Sequence, residues 1–82
     1  MIDAKQAVQV AKEKAAEMLN QFPINLEELE RDSYQGRDVW SVTLSFPPQQ
    51  NTLRFDPQYK RFTIDAETGE FLAMKIREVA SR

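Results

Sequence analysis

Cysteine and histidine are both absent from this 82-residue chain. Without cysteine there is no disulfide, no thiolate nucleophile and no zinc held by sulfur. Without histidine the commonest metal ligand and the commonest neutral-pH acid–base group are missing too. Chemistry is left to carboxylates, tyrosines, lysines and hydroxyls. Glycine is scarce: Gly36 and Gly69 are the two, too few to cradle a phosphate, and neither opens a predicted helix. Long apolar runs are lacking as well. The longest, Phe71-Leu72-Ala73-Met74, falls far short of the roughly 20 apolar residues of a membrane span. The first residues carry no apolar block of the signal-peptide kind, so the expectation is a soluble, cytoplasmic chain with no membrane partner. A net charge of −2 argues against broad attraction to nucleic acid.

What is present suffices for one small core. With 41% apolar and 29% charged side chains, residues 1–82 read as a single domain, since two cores would leave too few residues in each to offset chain entropy. Over 2–22, Val8, Ala11, Ala15, Leu19 and Phe22 recur at helical spacing with Met18 beside them, while Lys5, Gln9, Lys12, Glu13 and Glu17 point elsewhere. Asp3 stands where an N-cap belongs, Gln6 follows as its capping-box partner, and Ile2 can staple against Ala7. Pro23 ends the helix near 20–22.

The remainder reads as strands. Residues 26–34 suit an edge strand and Gly36 marks a turn. Over 39–46, Trp40, Val42, Leu44 and Phe46 alternate with hydroxyl-rich positions, the clearest strand pattern in the chain. Pro47 and Pro48 stop it. Leu53 and Phe55, in the connection over 47–58, either extend a hairpin or fold back as a loop. Residues 59–64 and 70–78 flank Ala66-Glu67-Thr68-Gly69, a turn with Gly69 left-handed. That turn sets Ile64 opposite Leu72, Phe62 opposite Met74 and Lys60 opposite Ile76. A helix over 71–79 is the competing reading of the last segment. The fold class is α+β: one N-terminal helix packed across a three- or four-stranded antiparallel sheet, with Trp40, Val42, Leu44, Phe46, Phe62, Ile64, Leu72, Met74 and Ile76 beneath the helix.

No set of residues assembles into a recognisable catalytic centre, and no cofactor or metal site is expected. Asp65 to Glu70 superficially resembles a calcium loop, but the glycine comes one position early and the closing glutamate is missing; a hairpin turn is the preferred reading. Glu27, Glu28, Glu30 and Asp32 read as a solvated edge that deters strand addition, and Trp40 as core rather than a stacking platform. The informative feature is the sheet face turned from the helix. There Arg61 lies opposite Lys75, Tyr59 opposite Arg77, and Thr63 opposite Ala73, with Val39 and Phe71 adding apolar area. Facing like charges disfavour one another unless something acidic neutralises them. The face is either solvated, with its long basic chains splayed, or bound to a partner.

The Ala4, Ala7, Ala11 and Ala15 pattern, the strand Trp40-Ser41-Val42-Thr43-Leu44, and the run Phe62-Thr63-Ile64-Asp65-Ala66-Glu67-Thr68-Gly69-Glu70-Phe71-Leu72 together resemble the PepSY-type domain. The closing hairpin carries most of the likeness: Ile-Asp, two residues, Thr-Gly, then an acidic and two apolar residues. The resemblance implies a helix on an antiparallel sheet in a cystatin-like arrangement. It further implies a non-catalytic role in binding or restraining other proteins, peptidases among them. No catalytic residue is carried over.

The expected function is therefore a non-catalytic module that binds a protein or peptide, or a second copy of itself, through the uncovered face and the 47–58 loop. Tyr59, Arg61, Lys75 and Arg77 are the expected contacts, with Leu53 and Phe55 as loop anchors. The alternative is an enzyme or small-ligand protein with a pocket between helix and sheet, which requires an inward polar group. Nucleic-acid binding by the basic face ranks last.

Overall fold

The computed structural model describes residues 1–19, 23–46 and 58–77. One helix, α1 (Ala4–Leu19), precedes four strands: β1 (Asn25–Tyr34), β2 (Arg37–Phe46), β3 (Gln58–Asp65) and β4 (Phe71–Arg77). The strands form one antiparallel sheet in the order β1-β2-β3-β4, with α1 lying across a single face. This is the α+β architecture expected, with four strands rather than three. Leu53 and Phe55, Phe22, and the end of the expected last strand at Glu78 lie outside the described residues.

The helix starts where its first turn can be capped. The Gln6 amide donates to Asp3 Oδ1 at 2.8 Å and the Asp3 amide donates to Gln6 Oε1 at 3.0 Å, a reciprocal capping box. The residue before the cap is tied to the sheet. The Ile2 amide donates to the Ala66 carbonyl at 2.8 Å, and Trp40 Nε1 donates to the Ile2 carbonyl at 3.2 Å.

From that start, the face turned to the sheet is Ala7, Ala11 and Ala15, all fully buried at i, i+4 spacing. Methyl side chains let the helix backbone approach Val42, Leu44, Phe46, Phe62 and Ile64, with which they form one cluster. Val8 and Leu19, expected at its centre, are half-buried at its margin, and Met18 is 49% exposed. The expected polar positions Lys5, Gln9, Lys12, Glu13 and Glu17 all face solvent.

β1 and β2 are joined by Gln35 and Gly36 alone, at φ of 51° and 80°. Two consecutive left-handed residues make the tight hairpin turn whose twist matches the strands. A bulge between Leu26 and Glu28 breaks the edge strand near its start. On β2, Trp40, Val42, Leu44 and Phe46 face the helix as expected. The opposite row, Val39, Ser41, Thr43 and Ser45, is buried too, none of it more than 6% exposed. Those positions read from sequence as a wet face. They lie one strand in from the edge of the sheet.

The β3–β4 register matches the expectation at five pairs, from Tyr59 with Arg77 to Thr63 with Ala73, and then departs from it. A bulge after Thr63 sets Ile64 opposite Phe71, not Leu72. Leu72 becomes the extra residue, and the expected placements of Leu72 in the core and Phe71 on the outer face are exchanged. Phe71 packs against the core cluster with its ring centroid 6.0 Å from that of Phe62. Both Phe71 and Met74 thereby reach the helix side despite their odd spacing. Ile76, expected in the core, is 69% exposed. The strand reading of the last segment prevails over the helical one.

Asp65 organises the turn between β3 and β4. Its Oδ1 accepts the amides of Glu67 at 2.8 Å and Thr68 at 3.1 Å, and its Oδ2 accepts Arg37 Nη1 at 3.0 Å. The Gly69 amide closes the loop on the Asp65 carbonyl at 2.9 Å. The carboxylate is nine-tenths buried within these bonds. The Glu67 amide, then that of Thr68, and finally Arg37 hold its pKa below the ordinary aspartate value against the opposing effect of burial. This is a turn-forming carboxylate, in agreement with the hairpin reading of the segment. Gly69 itself has φ of 80°, and a Cβ there would meet Ile2 Cγ2 at 3.4 Å, whereas Gly36 at the same φ has open space.

Two predictions follow from this corner. Asparagine tolerates left-handed backbone, so Gly36→Asn should leave urea stability within about 0.5 kcal/mol. Gly69→Asn, whose side chain must extend toward Ile2, should cost about 1–2 kcal/mol. Equal effects at the two sites would show that Ile2 does not seat against the turn. Because folding lowers the Asp65 pKa, its stabilisation is complete above the unfolded value near 4 and fades as pH falls through the folded value. Asp65→Asn should therefore be less stable than the parent at pH 7, with the difference shrinking below about pH 4 in paired urea titrations. A difference that stayed constant down to about pH 2 would contradict the assignment.

Candidate protein-binding face

Strand alternation distributes the side chains turned away from α1 into rows that cross all four strands. One row runs Glu30, Ser41, Thr63, Ala73; the next runs Glu28, Thr43, Arg61, Lys75; a third runs Asn25, Ser45, Tyr59, with Arg77 at the paired register position on β4. Among the described elements, none packs on this face. The sequence-based pairs, Arg61 with Lys75 and Tyr59 with Arg77, are therefore where they were expected.

The structure adds what cross-strand pairs alone do not show, which is how charge is laid out across the sheet. Acids sit on β1, as Glu28, Glu30 and Asp32. The central ground is hydroxyl and buried, with Thr43 1% and Ser41 6% exposed. Bases occupy β3 and β4, as Arg61 and Lys75. Three strand spacings, about 14 Å, separate the two charged margins. At one end Ser45 Oγ donates to Glu27 Oε2 at 2.7 Å, tying the bulged part of β1 to β2. At the other, Arg37 reaches Asp65 across the end of Val39.

Neither member of the Arg61–Lys75 pair forms an ion pair or side-chain hydrogen bond among the described residues, and the same holds for the exposed carboxylate of Glu30. The half-buried Arg61 and exposed Lys75 thus stand opposite each other without a neutralising acid among the described residues. Tyr59 is half-buried in the adjoining row. Leu53 and Phe55, the expected loop anchors, lie outside the described residues.

The helix side offers different chemistry. Among the described residues it holds no buried carboxylate or tyrosine, the inward group that a pocket-based enzyme would require. It does hold Lys60, which sequence reasoning placed by register without foreseeing its burial. Lys60 is 8% exposed, donates to Gln58 Oε1 at 3.3 Å and lies 5.8 Å from the Phe46 ring centroid. Trp40 is half-buried at the core margin. Its ring is covered by the Arg31 guanidinium at 5.0 Å, and its indole N–H is committed to Ile2, so both features of a stacking platform are used within the fold. The acids of β1 do not gather into a cage of three or more metal-ligating side chains among the described residues.

Comparison with known proteins adds one family. The family model for the peptidase propeptide and YPEB domain, PepSY, matches residues 1–75. No curated protein and no solved structure matches the chain. The matched span takes in α1, β1, β2, β3 and β4 as far as Lys75, together with the Asp65 turn and the glycine against which Ile2 seats. With nearly the whole of the helix-on-sheet unit inside the match, the chain belongs to the PepSY family.

Proposed function

We propose that the chain is a non-catalytic module that binds and restrains a peptidase, and that the face opposite α1 is its contact surface. The observation that carries this reading is the family match, which extends over the helix and the sheet and describes a peptidase propeptide. A propeptide acts by occupying its peptidase rather than by turning over a substrate. The resources of this chain suit that role: it has no cysteine or histidine, and the one buried carboxylate described in the hairpin is spent on turn amides and Arg37.

Arg61 and Lys75, which form no ion pair among the described residues, support the outer face as the place of contact. Two cations held opposite each other on adjacent strands gain when an acidic group of a partner comes between them, and the rigid sheet reduces the ordering cost of that contact. Tyr59 lies in the adjoining row and, together with Arg77, Leu53 and Phe55, completes the proposed contact set.

The test is inhibition and direct binding against purified peptidases of the cell that makes the protein. The parent should inhibit at least one of them stoichiometrically and show no turnover itself. The Arg61→Glu/Lys75→Glu double variant should bind about tenfold more weakly or worse, while its urea stability stays within about 1 kcal/mol of the parent. Inhibition by the double variant equal to the parent's would remove the basic end of this face from the contact.

A further inference from the structure

The two edges of the sheet are finished differently, and we propose that the outer edge of β4 takes an extended peptide as a fifth, antiparallel strand. In that peptide apolar residues turned to the helix side alternate with acidic ones turned the other way. The inference goes beyond the contact surface proposed above: it concerns backbone groups at the margin of the sheet, and it does not require the partner to be a peptidase.

Hydrogen bonding in an antiparallel sheet alternates, so each strand residue turns its N–H and C=O to one neighbour only. The Ala66 amide donates to the Asp38 carbonyl at 2.9 Å while Asp65 lies opposite Val39. That pair is therefore the non-bonded kind, and the next, Trp40 with Ile64, is the bonded kind. Counting on, Phe62 and Lys60 turn their backbone to β2, and Thr63, Arg61 and Tyr59 turn theirs to β4. The Asp65 amide, bonded to the Glu70 carbonyl at 2.8 Å, follows the same parity. On β4, Ala73 and Lys75 thus spend their amides and carbonyls on β3, whereas Met74 and Ile76 turn theirs outward. Among the described residues no strand lies beyond β4 to receive them, and no side chain takes the Met74 or Ile76 amide.

β1, at the other edge, is guarded. Its start is bulged between Leu26 and Glu28, and the Ser33 amide, one of those that the same parity turns outward, is taken by Asp32 Oδ1 at 2.7 Å. At β4 the side chains instead select what adds to the edge. Strand alternation puts Met74 and Ile76 on the helix side, where Ile76 is left 69% exposed. Lys75 lies on the other side, exposed and opposite Arg61. An added strand sets one residue opposite Ile76, where an apolar side chain covers it. It sets another opposite Lys75, where a carboxylate meets a cation that has no acid among the described residues. The same charges count against a second copy as the occupant, because pairing β4 with β4 gathers two Lys75 and two Arg61 around one short ladder. Backbone bonds supply the affinity and the alternation supplies the preference.

The probe is a peptide of the same length as β4, alternating valine with glutamate and blocked at both ends, titrated to about 1 mM into the isotope-labelled whole chain. In the free protein the Met74 and Ile76 amides should exchange with solvent about tenfold faster than those of Ala73 and Lys75, and the peptide should slow them about threefold or more. Lysine in place of glutamate should weaken binding about tenfold. Methylating the valine nitrogens, which removes the donors facing Met74 and Ile76, should do the same. Lys75→Glu should exchange the preference between the glutamate and lysine peptides. Ile76→Pro removes an outward N–H and no bond to β3, so it should fold and lose the peptide; the methylated peptide keeps the test decisive where that variant does not fold. Met74 and Ile76 amides already protected in the free protein would mean that the chain itself occupies the edge, and would overturn the proposal. Protection that grows with protein concentration alone marks a second copy and overturns it too, as does equal binding of the three peptides. Peptidase inhibition measured on the same samples separates the two readings. No peptide binding beside inhibition that depends on Arg61 and Lys75 refutes strand addition alone, whereas peptide binding lost in Ile76→Pro, without inhibition of any peptidase, supports strand addition and refutes the peptidase reading alone.

Discussion

The seating of Ile2 is the constraint on which the arrangement of helix and sheet depends. A single residue gives its amide to the Ala66 carbonyl, takes the Trp40 indole N–H on its own carbonyl, and lays its side chain against Gly69. Those contacts reach β2 and the β3–β4 turn at once, and the capping box of Asp3 and Gln6 starts immediately beyond them. The helix consequently begins at one place and one rotation. Had the entry point been free, a stripe of three alanines would be a poor guide to which side of α1 faces the sheet, because methyl groups contribute little apolar area compared with Val8 or Leu19. With the entry fixed, Ala7, Ala11 and Ala15 are carried onto Phe62 and Leu44, and the larger residues flank the contact.

The Asp65 turn is the other half of the same device. Its carboxylate shapes the loop that presents both the Ala66 carbonyl and the space at Gly69, and Arg37 fastens that loop to the beginning of β2. The Ile-Asp-x-x-Thr-Gly run is therefore a structural signature. The aspartate accepts amides, Thr68 Oγ1 accepts the Glu70 amide at 3.1 Å, and glycine supplies a left-handed backbone and leaves room for Ile2. Nothing in this cluster needs a substrate or an ion to account for its residues.

How much of this could be read from sequence depends on the range of the interaction involved. The capping box, the Gly36 turn and the alternation of β2 involve neighbours in the chain, and all are visible as local patterns. Most of the β3–β4 register was legible as well, because five cross-strand pairs satisfy a single loop length. Phe71 and Leu72 were exchanged because adjacent apolar residues give alternation no preference. Only packing of the larger ring against Phe62, at the cost of a bulge, decides between them. The burial of Lys60 and of the hydroxyls on β2 escaped for a similar reason: each follows from what stands beside a residue in three dimensions. Ile76 shows the converse, a residue on the correct face with 69% of its surface left exposed.

The outer face owes its character to topology as much as to composition. In an up-and-down sheet the spatial order of strands equals their order in the chain, so any drift of charge along the sequence becomes a gradient across the surface. Here the drift runs from Glu27, Glu28, Glu30 and Asp32 early in the chain to Arg61, Lys75 and Arg77 late in it. A sheet that interleaved early and late strands would have set these charges beside one another and cancelled them within the monomer. The meander holds them about 14 Å apart, too far to pair directly across the buried hydroxyls of β2. A chain of net charge −2 thus carries a strongly polar surface at no expense to its overall balance.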